Sequence, residues 1–550
     1  MVSLATNLVK IIKQLGCEQA FGIPGKPITP LIMEMENQGV NFVLSRHECG
    51  AGYMATGYAL QNQTLGVALG TSGPGGTNLL TAAGQAKAFN APVLFITGHP
   101  PLVDSGKALG QDSSMFGTDL VELFKPLTLF SARVDDASLL SSYLQHALQK
   151  ALTGKMGPVH LSIPLDILTQ EIPELDMPNW QIADNPISAN LSRVKQLLTT
   201  AQKPVILAGK GAHRSKAYQE LQDFAEDWQI PVMTTPGGKG AFPTHHPLSL
   251  GSFGLGGTAA AETYVEEGID VMLVIGTRLS DMSTAGLHPN LYPKHIIQFD
   301  QEEVFVGKTI LVDTLLIKGD AKQNLSTLIM QYAPDHSVHK RNLTSYWLEE
   351  KSAREQIARK ESKNDRLSTA NVMLHLRDFL PPDTVVYGDD GSHTFYGIKY
   401  FDTLKPGTFY FDDVFGAMGH GLGLAIGASL VKQDQPIVCF VGDGCFMMHG
   451  MELSTAVDQQ ANVTFVVFNN GMLDMVDKGM KIGLGKSAGT TYQYGINATQ
   501  FGVSIGMDST RCQSMYEIET AIKQAVETDG PSIVEVLTCK DEVPPTLKRG

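Results

Sequence analysis

PIVCFVGDGCFMMHGMELSTAVDQQANVTFVVFNN, residues 436–470, is the stretch whose reading decides the fold. An apolar run, 436–441, stops at Gly442-Asp443-Gly444. A helix-compatible segment around Met451 to Gln460 follows, and a second apolar run, 463–468, stops at Asn469-Asn470. The pattern is strand, turn, helix, strand. In a right-handed βαβ unit both strand ends lie on one edge of the sheet. Asp443 and Asn470 are therefore expected at one crevice, where open α/β sheets bind ligands. A carboxylate, an amide oxygen and one backbone carbonyl would half fill the octahedral shell of Mg²⁺, with water or phosphate oxygens completing it. The glycines let a bulky anion approach the main chain, and the helix start expected after Gly444 offers unpaired N–H groups to it. The chemistry implied is a metal with a diphosphate. Gly-Asp-Gly or Asn-Asn alone is more often an ordinary turn. The weight rests on the pair, with 24 residues between Gly444 and Asn469.

The same rhythm runs outward along the chain. Runs such as 42–45, 65–69, 92–97, 204–209, 271–276, 296–300 and 384–390 are apolar nearly throughout and alternate with helical patterns. Strands of that kind belong to parallel sheets covered on both faces, so the expected class is α/β, with doubly wound parallel sheets. Two composition shifts divide the chain. The Pro- and Asp-rich 173–186 reads as a linker, and the densely charged 337–365 as a surface helix between domains. The expected domains are 1–172, 187–336 and 366–550. A chain of 550 residues is long enough for two to four such units.

A net charge of −14 argues against nucleic-acid partners, whose phosphates are held by basic residues. The six cysteines are scattered without a C-x-x-C pair, which fits free thiols in a reducing cytoplasm. The N-terminal stretch reads as an amphipathic helix rather than a signal peptide, and no apolar run is long enough to span a bilayer. A cytoplasmic protein without a membrane partner is the expectation.

The GDG…NN segment resembles the cofactor motif of thiamine diphosphate-dependent enzymes, and the likeness runs from GIPG (22–25) to PSIVEV (531–536). It implies that Asp443, Asn470 and the backbone carbonyl of Met472 hold Mg²⁺. Gly442, Gly444 and Cys445 would line the diphosphate. Arg46-His47-Glu48 matches the family's glutamate, which bonds N1′ of the aminopyrimidine and so activates the thiazolium carbon. Read without the family, Glu48 is a carboxylate in a helix's first turn and His47 a packing or capping residue. The S-G-P-G-x-T-N segment containing Pro74 would border the pyrimidine, and Gln111 would lie near the reacting carbon. Ser392 and His393, in GDDGSHTFYG, match diphosphate contacts, although either could instead cap a helix. Met418 would wedge the cofactor into its bent form, and Gly416 would offer it a carbonyl.

The domain order is similar to the acetohydroxyacid (acetolactate) synthase, pyruvate oxidase and 2-oxo-acid decarboxylase branch. That likeness implies a homodimer or homotetramer with active sites between subunits, Glu48 coming from one copy and Asp443 from the other. Three positions depart from the synthases. They carry a basic residue where Met282 falls, a lysine near Leu129, and a tryptophan absent from 471–487. The lost cations weaken the case for FAD and for a shared acceptor specificity. The resemblance implies a thiamine diphosphate- and Mg-dependent carboligase. Its substrates would be a 2-oxo acid such as pyruvate and a second carbonyl compound, which the enamine left by CO₂ loss attacks. A simple 2-oxo-acid decarboxylase, a 2-hydroxyacyl-CoA lyase or a flavin-dependent pyruvate oxidase type is the alternative. The run 479–491 reads as a lid or as a plain surface loop.

Overall fold

The computed structural model describes residues 1–176, 187–334, 341–358, 366–431 and 434–546. Most of the expected linker, 177–186, and the flanks of the charged segment, 335–340 and 359–365, lie outside the described residues. Within that segment Thr344–Ala358 is a helix.

Three six-stranded sheets form, and every neighbouring pair of strands within them is parallel. The expected α/β class with doubly wound parallel sheets is what the chain adopts. The central strands among those the apolar runs marked are buried along their whole length, as in Ile437–Gly442, Val463–Asn469 and Val271–Ile275. Helices cover both faces of these central strands, so none of them needs an alternating polar side.

The N-terminal sheet runs, edge to edge, Asn41–Leu44, Gln19–Gly22, Gly66–Gly70, Val93–His99, Val159–Pro164, Ser131–Arg133. The C-terminal sheet repeats that order with Phe409–Tyr410, Val385–Gly388, Ile437–Gly442, Val463–Asn469, Ser532–Leu537, Asp508–Cys512. In both, the chain leaves the first strand in one direction and returns to build in the other, between the first and third strands. The middle sheet differs. Its order is Ser249–Ser252, Val232–Thr234, Val205–Ala208, Val271–Ile275, His295–Asp300, Asp313–Lys318, which reverses between the first and fourth strands. Each reversal opens a crevice at the carboxyl ends of the two strands beside it.

The N- and C-terminal sheets share one hydrophobic core, while the middle sheet has its own. Their joint is the crossing of helix Glu48–Asn62 on helix His420–Ser429. Two glycines make it close. A Cβ on Gly57 would meet the Leu424 carbonyl oxygen at 2.0 Å, and one on Gly427 the Met54 carbonyl oxygen at 1.9 Å. Both obstacles are backbone and cannot swing away. Gly427→Ala is therefore expected to cost about 1–3 kcal/mol, read as a lower denaturant midpoint, and to displace the start of the Glu48 helix. Wild-type stability in that variant would show that the helices have room to part.

Helix Thr344–Ala358 ties the middle sheet to the C-terminal one. Glu350 accepts the Ala259 N–H at 2.9 Å, and Trp347 donates its indole N–H to the Ser249 carbonyl at 3.1 Å. Arg354 makes a two-pronged pair with Asp402 at 2.8 and 2.9 Å, and against the cost of burial His245 at 3.1 Å together with Arg354 holds that carboxyl well below the usual carboxylate range.

Candidate functional site

The reversal point of the C-terminal sheet brings three strand ends together. Val385–Gly388 delivers Asp390, Ser392 and His393. Ile437–Gly442 delivers Asp443, Gly444 and Cys445, and Val463–Asn469 delivers Asn470 and Met472. With Met418 these residues line one crevice. The helix after the second strand begins at Asp443 itself, in line with the helix start expected after Gly444 and ahead of the segment around Met451. It runs to His449, tightens to a 3₁₀ turn at Gly450–Glu452 and resumes as Leu453–Asp458. Gly442 and Gly444 thus stand at a helix N-terminus, with its free N–H groups toward the crevice.

Asp443 is almost fully buried. Its Oδ1 accepts the Gly444 N–H at 2.9 Å and its Oδ2 the Gly471 N–H at 2.6 Å. Burial nevertheless outweighs these bonds and pushes the carboxyl up to about 6. A cation placed beside the carboxylate would favour its charged form. Asn470 turns its amide oxygen back to the Met472 N–H at 3.3 Å, so the residue pair folds over one spot. A Cβ on Gly444 would sit 2.6 Å from Leu473 Cδ2 and 3.2 Å from Met418 Cε. A larger residue there would have to push both side-chain ends aside, and Met418 packs directly beside it.

Neither Ser392 nor His393 caps the helix they open; Gly391 is the cap residue and no side chain bonds there. Ser392 instead donates its hydroxyl to Asp474 at 2.7 Å. His393 stacks on Phe468, and its buried Nε2 has no partner among the described residues. Burial lowers the ring to about 4, so it is neutral at neutral pH. Asp474 pairs with Lys478 at 3.1 Å inside the same wall. Sequence reading missed Asp390, Asp474 and Lys478. The second aspartate of GDDGSH and the i,i+4 pair in DMVDK were the available signals. Gly416 sits beside this wall at φ 67, its N–H on Asp412 at 3.1 Å.

Glu48, Pro74 and Gln111 form a second group on the N-terminal sheet, and none of them lines the first crevice. Glu48 opens helix Glu48–Asn62, capped by His47, whose Nδ1 accepts the Cys49 N–H at 3.1 Å. Glu48 is buried, and its Oε2 accepts the Asn78 amide at 2.9 Å. Pro74 starts the short helix Pro74–Asn78, and Gln111, exposed and at φ 54, lies over the Gly73 turn. Ser113 accepts the Gly73 N–H at 2.8 Å and fixes that overlap. The strand end before Glu48 is held by the C-terminal domain: Glu452 accepts the Arg46 N–H at 3.1 Å and the His47 N–H at 2.8 Å.

The run 479–491 is helical as far as Leu484 and then returns over the crevice residues. Ser487 and Thr490 donate to Asp477 at 2.6 and 2.8 Å, and the Leu473 N–H bonds the Thr490 carbonyl at 2.8 Å. Elsewhere, the reversal point of the middle sheet opens a cavity of about 580 Å³ lined by Gly276, Arg278, Met282 and Lys210. Lys210 is already neutralised by Asp412 and Asp413 at 3.2 and 3.1 Å. Leu129 packs under Gly157 and does not line that cavity.

Comparison with known proteins covers most of the chain. Residues 2–121 match the model of the thiamine pyrophosphate enzyme N-terminal TPP binding domain. Residues 191–328 match the central domain, and 389–536 the C-terminal TPP binding domain. The chain is 30% identical to a probable acetolactate synthase large subunit of Methanococcus aeolicus, over 96% of this chain and 91% of the relative. It is 29% identical to the acetolactate synthase large subunit of Corynebacterium glutamicum, over 99% and 88%. Against the large subunit of acetolactate synthase isozyme 2 of Escherichia coli K12 the identity is 28%, over 96% and 94%.

Proposed function

The chain belongs to the thiamine pyrophosphate enzymes, and from that premise we propose that it decarboxylates a 2-oxo acid such as pyruvate and joins the remaining acyl unit to a second carbonyl compound, as an acetolactate synthase does. The observation that carries this reading is the convergence of Asp443, Asn470, Met472, Ser392 and His393 on one glycine-floored crevice at a helix N-terminus.

The residues fit Mg²⁺ and the diphosphate. Asp443 is a carboxyl whose charged form burial disfavours, so a cation beside it would be stabilising, and His393 Nε2 is a buried polar atom with no partner among the described residues. Asp443, the Asn470 amide oxygen and the Met472 carbonyl would hold the metal. Main-chain N–H groups at Gly444 and Cys445, with Ser392 and His393, would hold the phosphate oxygens. Bound thiamine diphosphate supplies the carbon nucleophile and accepts the electron pair that CO₂ leaves behind. Glu48 would hold a proton at the aminopyrimidine N1′, and Asn78 keeps its carboxylate oriented for that. Met418 would support the cofactor's bend, Gly416 its amino group, and Gln111 with the Pro74 turn would border the reacting end.

Glu48 lines no part of the crevice around Asp443, so the reading requires a second copy to bring the two groups together. Met447 and Met448, at the end of the helix that starts at Asp443, and Met451 on the turn after it lie about half exposed, an apolar patch that suits such a contact. The middle-sheet cavity keeps a flavin as a second reading, and Met282 on its wall in place of a cation is what weakens it.

The test is incubation with thiamine diphosphate, Mg²⁺ and a panel of 2-oxo acids, with products identified by mass spectrometry. A hydroxy-ketone or 2-hydroxy-3-oxo acid is the expected product. Aldehyde alone would make it a decarboxylase, and oxygen-dependent turnover by a yellow protein would make it a flavin oxidase. No product and no cofactor binding would overturn the proposal.

A further inference from the structure

Four carboxyl groups line the crevice: Asp390, Asp443, Asp474 and Glu542. Asp443 is bonded by two backbone N–H groups and faces the metal position, and Asp474 is bonded to Ser392 and paired with Lys478. Glu542 is turned to the start of helix Thr369–Phe379, accepting the Ser368 hydroxyl and the Thr369 N–H, each at 2.7 Å. Asp390 alone among them brings carboxyl oxygens that meet no donor among the described residues; only its backbone is bonded, the N–H to Asp389 and the carbonyl to Cys445 Sγ.

The contrast with its neighbour is informative. Asp389 is fully buried and saturated, accepting N–H groups from Asp390, Gly419 and Gly421 at 2.7, 2.8 and 3.0 Å beside the His420 ring. Asp389 therefore braces the wall, and Asp390, one residue on, is left with a carboxyl to spare. The wall has also been cut back for it: a Cβ on Gly416 would approach Asp390 Oδ2 to 3.0 Å. The charged groups around it are His420, Asp389 and Asp412. Burial, with the two aspartates against it and His420 for it, pushes the Asp390 carboxyl up to about 6.

The proposed reaction needs such a group. Loss of CO₂ from a 2-oxo acid anion, followed by either carboligation or release of an aldehyde, consumes one proton per turnover. Resting on the reading of this crevice as the cofactor and substrate site, we infer that Asp390 is a second acid–base residue of that site, distinct from Glu48, and delivers this proton. As the new carbon–carbon bond forms at the acceptor carbonyl, the C=O π pair passes to oxygen. The Asp390 O–H gives that oxygen its proton and is left as a carboxylate, which solvent reprotonates. A carboxyl poised near neutrality suits both halves of the exchange.

The test compares wild type, Asp390→Asn and Asp390→Glu, each loaded with Mg²⁺ and thiamine diphosphate. Metal binding keeps Asp443 ionised and out of the titration. Wild type should show a protonated-carboxyl infrared band titrating near pH 6, and a kcat that declines as pH rises through the same ionisation. Asp390→Asn should lose the band and that limb, with kcat about a hundredfold lower and cofactor affinity by calorimetry within about threefold. Asp390→Glu should restore a displaced limb. A titrating band that survives in Asp390→Asn, or a kcat within twofold of wild type, would overturn the inference. Failure of wild type to form any product would overturn the functional reading instead, and the infrared titration would still decide whether Asp390 exchanges a proton there.

Discussion

Glu48→Gln is expected to bind thiamine diphosphate nearly as wild type does and to turn over about 10²–10⁴-fold more slowly. Glu48 is buried at the head of its helix with one oxygen already committed to Asn78. An amide in its place would satisfy Asn78 with its oxygen and turn an NH₂ outward, where a carboxylate had been able to hold a proton. The fold should survive, because the helix cap is His47 and the brace is Glu452, neither of which changes. The defect should therefore appear in proton–deuterium exchange at the thiazolium carbon, followed by NMR, and not in the cofactor dissociation constant. Exchange at the wild-type rate would remove Glu48 from the chemistry.

Asp443→Ala should strike the opposite quantity. Removing the carboxylate takes away the acceptor for two N–H groups, Gly444 on the helix start and Gly471 beyond the neighbouring strand, and with it the proposed metal ligand. The apparent affinity for the cofactor with Mg²⁺ should fall roughly a hundredfold or more, with activity partly regained at high metal concentration. The two orphaned donors should cost about 1–3 kcal/mol each at most, so a denaturation curve separates lost binding from lost fold. Unchanged metal and cofactor affinity in a calorimetric titration would count against the assignment.

How much of this was legible in the sequence follows from where each signal resides. Ile437–Gly442 and Val463–Asn469 could be read because central strands of a parallel sheet are apolar throughout, and seven- or six-residue runs of that kind stand out. The edge strands could not. Phe409–Tyr410 has two residues, and Asp508–Cys512 reads DSTRC and is mostly unburied. The helix start beside Gly444 could be read, but Gly450 hid its continuity with the segment around Met451, because a glycine after a Met-Met-His run looks like a break before a helix rather than a tightening within one. The crevice residues on the GDG…NN motif are close in sequence to a pattern that can be recognised. Asp390, Asp474 and Lys478 take their meaning from tertiary neighbours: Ser392 and Asp474 are 82 residues apart, and the clamp of Glu452 on the His47 N–H spans 405. No local period encodes such pairs.

The most direct test of the account is a crystal structure with thiamine diphosphate and Mn²⁺, the metal located by anomalous scattering. The account predicts one ion bonded at roughly 2.1 Å to the Asp443 carboxylate, the Asn470 amide oxygen and the Met472 carbonyl. It also predicts that the aminopyrimidine N1′ of the same cofactor lies against Glu48 of a second copy. An ion elsewhere, or a cofactor ring that no Glu48 reaches, would contradict it.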